Sequence, residues 1–144
     1  MNPQDTPKKV RFRVDEEVET VWAEPLGENR YRLDNTPWFA YGVSWKDVVE
    51  AKPEIEGDNM PDFIRVVEKS GHRTIRVILE DEKAKKEVLE EIVKLGCTYE
   101  GANDIYFGVD IPPDANLEAL TAFLTKRKEQ WEHGDPTYSE LYEK

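Results

Sequence analysis

Residues 31–51 read YRLDNTPWFAYGVSWKDVVEA, and they hold two of the four tryptophans and two of the six tyrosines of the chain. So many rings in an otherwise polar sequence predict either the centre of a small β core or a recognition surface. Pro37 has no N–H to donate and biases Thr36 towards an extended backbone, so it interrupts a strand ladder at this point. Beyond Pro37, residues 38–43 are predicted to be extended, and Gly42 allows the backbone to bend.

Short alternating segments surround this stretch on both sides. The predicted strands lie at residues 9–15, 18–25, 30–34, 38–43 and 47–51. Five short strands at this spacing, with a hairpin turn at Gly27, predict a small antiparallel β lobe over residues 9–52. Its form is predicted to be a curled sheet or an SH3-like barrel. Residues 1–8 are polar, contain two prolines and are predicted to be a flexible N-terminus.

The second half of the chain predicts an α+β sandwich lobe over residues 62–132, after a connecting loop at residues 53–61. Residues 63–79 carry two β-rich runs on either side of a Gly-containing turn, which is typical of a hairpin. A helix capped by Asp81 and ended by Gly96 is predicted to follow this hairpin. The sandwich lobe therefore begins with two strands and a helix.

A second hairpin and a second helix complete the predicted sandwich. The hairpin spans residues 97–111, and the helix is capped by Asp114 or Asn116 and continues its apolar face to Trp131. The order ββαββα predicts a ferredoxin-like sandwich whose usual last strand is missing or replaced by the preceding hairpin. Residues 133–144 are predicted to be a C-terminal tail.

The charge of the chain favours one class of partner. The net charge is −11; residues 1–79 hold 15 acidic and 12 basic side chains, whereas residues 80–144 hold 16 and 8. A field of this sign repels nucleic acid and anionic membranes and favours a basic protein partner, although solubility alone would also explain it. With no apolar signal segment and no membrane-spanning run, a cytoplasmic location is expected.

Residues that could support catalysis or bind a metal are few. Cys97 is the only thiol, so no internal disulfide can form, and its place after a helix C-terminus predicts core packing. His72, His133 and Cys97 lack the paired spacing of a zinc site. No nucleophile elbow, phosphate loop or metalloprotease motif occurs, so no catalytic residue and no cofactor is predicted. A carboxylate-only cation site is left open.

Two groups of residues are candidates for binding a partner or ligand. Basic residues on the predicted 63–79 hairpin could hold a phosphate or a carboxylate, or could pair with internal acids such as Asp47 or Glu50. The rings of residues 31–45 could form core or an exposed anchor. The predicted binding residues are Tyr31, Trp38, Tyr41, Trp45, Asp47, His72, Arg73 and Arg76.

Three pieces of the chain together resemble a bacterial family, domain of unknown function 4265. They are ETVWA at 19–23, NTPWF and VSWKDVV at 35–39 and 43–49, and SGHRTIR at 70–76. Order and spacing agree from about Val10 to Arg76, and more loosely through Gly96, Tyr99 and Glu100. The resemblance implies a Gly before Asp47, but this chain has Lys46 at that position. This departure puts a tight turn there in doubt. The resemblance implies no particular activity, substrate or cofactor.

Three functional hypotheses follow. The preferred one is a non-catalytic acidic interaction module, such as an inhibitor or immunity-type protein that binds a basic toxin or nuclease. At the level of fold, the second half is similar to acidic ferredoxin-like proteins that inhibit enzymes by binding them. The alternative is a small-ligand-binding or regulatory domain with a pocket between the lobes, lined by Trp38, Tyr41, Asp47 and Arg76. The third, a hydrolase, would need a carboxylate of raised pKa in a cleft. The oligomeric state is left open.

Overall fold

The first five strands close into a barrel. The structure is a computed structural model that describes residues 7–143. The barrel strands are β1 (Lys8–Val14), β2 (Glu17–Gly27), β3 (Arg30–Leu33), β4 (Val48–Lys52) and β5 (Asp62–Glu68). Neighbouring strands pair antiparallel, and a single parallel contact between Arg11 and Asp62 closes the ring. Lys8, placed in the predicted flexible N-terminus, belongs to β1, whereas residues 1–6 lie outside the described part of the chain.

The barrel interior is apolar because its strands alternate as their sequences predict. In β2, Val21 and Ala23 are buried while Trp22 between them faces solvent. The buried core of the barrel consists of Val10, Phe12, Val21, Ala23, Leu33, Ala40, Val43, Val49 and Ala51. The predicted barrel form is therefore confirmed, but its fifth strand is β5 and not residues 38–43, so the barrel extends beyond the predicted lobe of residues 9–52.

The second half forms a four-stranded sheet with two helices on one face, so the predicted α+β class is confirmed. Its elements are β6 (Arg73–Ile78), α1 (Glu82–Lys94), β7 (Thr98–Gly101), β8 (Tyr106–Ile111), α2 (Leu117–Lys126) and β9 (Gln130–Asp135). The strand order is β7-β8-β6-β9, and each neighbouring pair is antiparallel. A short helix, α3 (Tyr138–Tyr142), follows β9. Within residues 7–143 no helix is long and apolar enough to cross a membrane.

Alternation along β6 and β8 gives the sheet two chemically different faces. The helix-side core contains Ile75, Val77, Leu79, Val88, Ile92, Cys97, Phe107, Val109, Ile111, Leu120 and Leu124. Asp81 caps α1 as predicted, Gly96 follows its end with φ of 86°, and Asn116 rather than Asp114 caps α2. The opposite face carries Thr74, Arg76 and Asp110, which are polar and buried.

The predicted 63–79 hairpin does not form, because its two halves belong to different sheets. Phe63 and Val66 pack against the barrel core, with the ring of Phe63 stacked 4.8 Å from that of Phe12. β5 therefore pairs with β4, while β6 lies in the four-stranded sheet. The loop at residues 53–61 consequently joins two barrel strands, and the chain crosses to the second sheet at residues 69–72.

The predicted order ββαββα is also corrected, to β-α-β-β-α-β. The second predicted helix ends at Lys126 because the chain reverses at Lys128, which has φ of 63°. Trp131 therefore lies opposite Val77 in β9 instead of continuing the helix. The predicted tail at residues 133–144 likewise includes the end of β9 and the whole of α3, although Lys144 lies outside the described residues.

Residues 38–43, predicted as a strand, form part of an irregular connection. We call residues 34–47 the bridging loop, because it runs from the barrel across the polar face of the second sheet. The Glu19 carboxylate, on β2 and 6% exposed, accepts the backbone N–H groups of Trp38, Phe39 and Ala40 at 2.5, 3.0 and 2.9 Å. These amides are thereby unavailable to a strand partner, which explains why no ladder forms.

The turn that ends the bridging loop is tight, although glycine is absent. Lys46 adopts φ of 70°, a left-handed conformation that a residue with a side chain enters at a cost of about 1–2 kcal/mol. Its ammonium lies 4.7 Å from the centre of the Trp45 ring. The tight turn is therefore present, although Lys46 replaces the glycine that the family resemblance implies. The lysine adopts a glycine-like conformation.

Replacing Glu19 should destabilise the fold through the bridging loop. Glu19→Ala leaves three amide donors without their acceptor, and each hydrogen bond to a charged group is worth about 1.5–3 kcal/mol. We expect the free energy of unfolding to fall by about 3 kcal/mol or more, measured by urea denaturation followed by tryptophan fluorescence. Glu17→Ala, at the exposed start of β2, should change it by less than about 0.5 kcal/mol. Equal losses in the two variants would contradict the role of Glu19.

Acid should destabilise the barrel through Asp62. Arg11 holds the Asp62 carboxylate with two hydrogen bonds of 2.6 and 3.0 Å, which lowers the pKa of Asp62 from 3.8 to about 2. A carboxyl group with a lowered pKa stabilises the fold above its unfolded value, and this stability is lost as the pH falls through the folded value. We expect Asp62→Asn to lose stability at neutral pH and to flatten the decline between about pH 4 and pH 2.

The measurement is urea denaturation at a series of pH values. Asp114→Asn, at an exposed position before α2, is the matched control and should keep the acid-sensitive decline of the parent protein. An Asp62→Asn profile parallel to that of the parent protein would show that this ion pair does not govern the acid response.

Candidate functional site

The bridging loop lies directly on the polar face of the second sheet. Gly108 makes this contact possible, since a Cβ there would lie 3.1 Å from the Trp38 ring and 3.4 Å from the Pro37 carbonyl oxygen. The Trp38 indole N–H donates to the Glu100 carbonyl at 3.2 Å, and the Tyr106 hydroxyl donates to the Trp38 carbonyl at 2.6 Å. Trp38 is thus half-buried between the loop and the sheet.

Arg76 is the buried cation beneath the bridging loop. Its side chain is 1% exposed, and its Nη2 donates to the carbonyl oxygens of Pro37 and Ala40. Gly134 leaves room for the guanidinium, because a Cβ there would lie 3.1 Å from Arg76 Cζ. Among the described residues, Nε and Nη1 of Arg76 have no hydrogen-bond partner, and the Glu132 carboxylate is 3.8 Å from Nη1.

Tyr41 lies over Arg76 and is fixed there. The guanidinium carbon is 5.0 Å from the centre of the Tyr41 ring, and the Tyr41 hydroxyl donates to the Glu132 carboxylate at 3.0 Å. Burial of the phenol, together with the Glu132 charge, raises the pKa of Tyr41. The ring is nevertheless 49% exposed, so Tyr41 presents an anchored aromatic surface to solvent.

A polar network of buried acceptors and one partly exposed lysine joins the barrel, the bridging loop and β9. Lys69 Nζ donates to Asp47 at 2.6 Å and to Asp135 at 2.5 Å, and Asp135 also accepts the Ser44 hydroxyl at 2.5 Å. Burial lowers the pKa of Lys69, but the hydrogen bonds to Asp135 and Asp47 outweigh it, so the net shift is upward. Lys69 therefore stays protonated at neutral pH and acts as a charged crosslink.

A histidine–aspartate pair lies at the other end of the loop. His72 Nδ1 is 2.9 Å from the Asp110 carboxylate, and the His72 ring meets the Trp45 ring edge-on at 5.3 Å. Burial raises the pKa of Asp110, against the opposing effect of His72. Asp110 does not line any of the clefts described below.

The Cys97 thiol near Asp110 is poorly suited to nucleophilic chemistry. Cys97 is 3% exposed, and burial followed by the Asp110 charge raises its pKa to about 11. The thiol is therefore protonated at neutral pH and out of reach of a substrate. Within residues 7–143, no three His, Cys, Asp or Glu side chains are grouped so as to hold a metal ion.

A cleft of about 980 Å³ lies beside β9. We call it the β9 cleft; its walls are Tyr41, Trp131, Glu132, His133, Thr137, Tyr138, Ser139, Tyr142 and Glu143. Its rings contact one another, with centroid distances of 4.8 Å for Trp131–His133, 6.0 Å for His133–Tyr142 and 4.8 Å for Tyr138–Tyr142. The cleft is therefore mainly aromatic, and two carboxylates lie on its walls.

The chain segment that forms most of the β9 cleft is acidic. Residues 129–143 contain five acidic side chains and no lysine or arginine. His133 does not offset this charge at neutral pH, because burial lowers its pKa. Tyr138 and Tyr142 are 59% and 64% exposed, so two neighbouring rings of the cleft wall face solvent.

Two further clefts adjoin this region. One of about 600 Å³ lies on the barrel, where Tyr41 is joined by three basic residues, two acidic residues and apolar residues; the charged ones are Arg11, Arg13, Lys52, Glu54 and Asp62. The other, of about 280 Å³, shares Trp131 and Glu132 with the β9 cleft and is also lined by Arg76, Ile78, Tyr106 and Gln130. Tyr41 thus lines both the barrel cleft and the β9 cleft.

The predicted site residues are dispersed along the bridging loop and β6. Tyr31 packs on the barrel core, Trp38 on the sheet and Trp45 beside His72, while Asp47 belongs to the Lys69 network.

Arg73 donates to the carbonyl oxygens of Pro112 and Ala115. The internal pairing considered for the basic residues occurs for Arg65 with Glu50, at 2.8 Å. Of the eight, Tyr41 lines the β9 cleft and Arg76 lines the adjoining smaller cleft.

Most of the β9 cleft comes from residues that the sequence prediction placed in a helix or a tail. Trp131, Glu132 and His133 lie on β9, and the exposed tyrosines lie on α3. One local signal was available, since Thr137 and Glu140 form the reciprocal hydrogen bonds of a capping box. That pattern predicts a short helix, which would have placed Tyr138 and Tyr142 on it.

Comparison with known proteins agrees with the fold described above. A crystal structure described as that of a hypothetical protein from Neisseria gonorrhoeae is similar, with a TM-score of 0.81 at 19% sequence identity. The alignment covers 93% of this chain and 98% of the other, and at this identity the likeness shows a shared fold alone. No curated protein matches the chain in sequence.

The sequence itself matches one family model over most of its length. The match extends over residues 19–133 and includes Glu19, the bridging loop, Arg76 and β9 as far as His133. The resemblance inferred from the three sequence pieces is therefore confirmed. The chain belongs to the family described as Domain of unknown function (DUF4265).

Proposed function

We propose that this protein is a non-catalytic acidic interaction module, and that its β9 cleft binds a basic segment of a protein partner. The observation that carries the proposal is the composition of the cleft, in which aromatic rings lie beside the carboxylates of Glu132 and Glu143 without a lysine or arginine on its walls. A lysine or arginine side chain from a partner matches both features.

The physical basis is that rings and carboxylates attract the same kind of group. A cation near the face of Tyr or Trp gains about 0.5–2 kcal/mol, more where water is excluded. Exposed tyrosines are also frequent anchors of protein interfaces, because they bury much area while losing few rotatable bonds. Acidic groups around the cleft would accelerate the approach of a basic partner.

An inhibitor or immunity-type protein is the form of module that this arrangement fits best. Such a protein neutralises a basic toxin or nuclease by covering it, so it needs a charged docking surface rather than a reacting group. The buried Cys97 thiol and the internally paired Lys69 are consistent with such a role.

Reversing one charge beside the cleft should weaken binding of a basic probe. The probe is a terminally blocked hexapeptide of alternating lysine and threonine, and its affinity is measured by isothermal titration calorimetry. Glu143→Lys, at an exposed position, should weaken binding about fivefold, because reversing one charge beside the site costs about 1 kcal/mol. Binding should also weaken as salt is raised from about 0.05 to about 0.5 M.

Glu56→Lys is the matched control, since it makes the same charge change at an exposed position in the barrel loop. It should leave the affinity within about twofold of the parent value. A hexapeptide of alternating glutamate and threonine should not bind. Equal weakening by the two variants, or equal affinity for the acidic peptide, would show that the cleft does not recognise positive charge.

A further inference from the structure

β9 is an edge strand, and it lies along the β9 cleft. It pairs with β6 on one side, and among the described residues no strand pairs with it on the other. No backbone hydrogen bond from a loop reaches residues 130–133 either. Alternate N–H and C=O groups of an antiparallel strand face away from its neighbour, so this stretch presents main-chain groups that can bind another chain.

The carboxyl end of the same strand already has such a contact. The Gly42 N–H donates to the Gly134 carbonyl at 2.8 Å, so the bridging loop occupies the edge at that point. Beyond it, the β9 cleft and the smaller cleft both border Trp131 and Glu132. The free edge, residues 130–133, is thus flanked by open space. The contact between the bridging loop and Gly134 sets its limit at the carboxyl end of the strand.

The other edge of the sheet does not share these properties. β7 lies beside a groove lined by Lys86, Leu89, Glu90, Val93 and Tyr99, where one lysine and one glutamate balance each other. The Glu100 carbonyl on β7 is also engaged by the Trp38 indole. Charge therefore distinguishes the two edges, because only the β9 side combines free main-chain groups with an acidic aromatic cleft.

We propose that the basic segment of the partner binds as an added β-strand along residues 130–133 of β9. This inference rests on the proposed function of the β9 cleft and specifies the shape of its occupant, an extended segment with lysine or arginine at alternate positions. Main-chain hydrogen bonds to an edge strand supply affinity, and pockets for alternate side chains supply specificity.

An added strand along β9 would direct its side chains towards both clefts. Its side chains project alternately to the two faces of the sheet, with side chains two residues apart separated by about 6.6 Å. One set faces the rings of Trp131, His133 and Tyr142, and the other faces Glu132 at the smaller cleft. A cation in the first set meets aromatic faces, whereas one in the second set meets the Glu132 carboxylate.

Methylation of the peptide backbone tests the inference directly. Two versions of the alternating lysine–threonine hexapeptide carry N-methyl groups, one on the lysine amides and one on the threonine amides. An added strand points only one of these sets at β9, so one version should bind at least about tenfold more weakly and the other within about twofold. Hydrogen exchange followed by NMR should show slower exchange within residues 130–133 and unchanged exchange within residues 98–101.

The possible outcomes separate this inference from the proposed function. Equal affinity of both methylated versions and the unmodified peptide would overturn strand addition while leaving recognition of positive charge intact. Slower exchange at residues 98–101 in place of 130–133 would also overturn it, since the strand would then add to β7. If the unmodified peptide does not bind at all, the proposed function fails, and strand addition fails with it.

Discussion

The carboxylate of Glu19 fixes the bridging loop, which lies between the two sheets and forms no strand ladder of its own. A buried loop needs partners for its backbone groups, because unpaired amides in the interior cost free energy. Glu19 supplies acceptors for three consecutive N–H groups, and Arg76 supplies donors for two carbonyl oxygens of the same segment. The bridging loop is therefore satisfied from the barrel on one side and from the second sheet on the other.

This arrangement also explains how two buried charges of opposite sign coexist without touching. The backbone of residues 37–40 directs N–H groups towards Glu19 and carbonyl oxygens towards Arg76, so polar peptide groups lie between the carboxylate and the guanidinium. Hydrogen bonds in such a chain polarise one another, which offsets part of the cost of removing each charge from water. The two lobes are thereby joined through a loop rather than through an apolar interface.

The sequence predicts those features whose causes are local. Alternation of apolar and polar residues predicts β1 and β2. The N-cap residue Asp81 and the helix-ending Gly96 predict the limits of α1. By contrast, the chain divides between β5 and β6 because Phe63 and Val66 pack in the barrel, which no local pattern shows. Residues 38–43 have the sequence pattern of a strand, but the amides of residues 38–40 donate to the side chain of Glu19, which lies 19 to 21 residues earlier in the chain. The sequence predicts Tyr41 as a binding residue but not its neighbours on β9. Trp131 fits the helical spacing of α2, so the sequence pattern predicts a longer helix in place of that strand.

The two walls of the β9 cleft differ in how firmly they are held, and this difference would suit the proposed binding of an incoming chain. Tyr41 is fixed by the Arg76 guanidinium and the Glu132 carboxylate, so it loses little conformational freedom when a partner covers it. Tyr138 and Tyr142 instead lie on a helix of five residues, capped at its start by the Thr137–Glu140 box and at its end by the Glu143 N–H, which donates to the Ser139 carbonyl. Because isolated helices of this length are marginal in water, that wall can adjust to the side chains it meets while the β9 edge keeps its register. In the proposed binding mode, a rigid edge with one fixed ring and one adaptable wall would give main-chain recognition that tolerates variation in the partner's sequence.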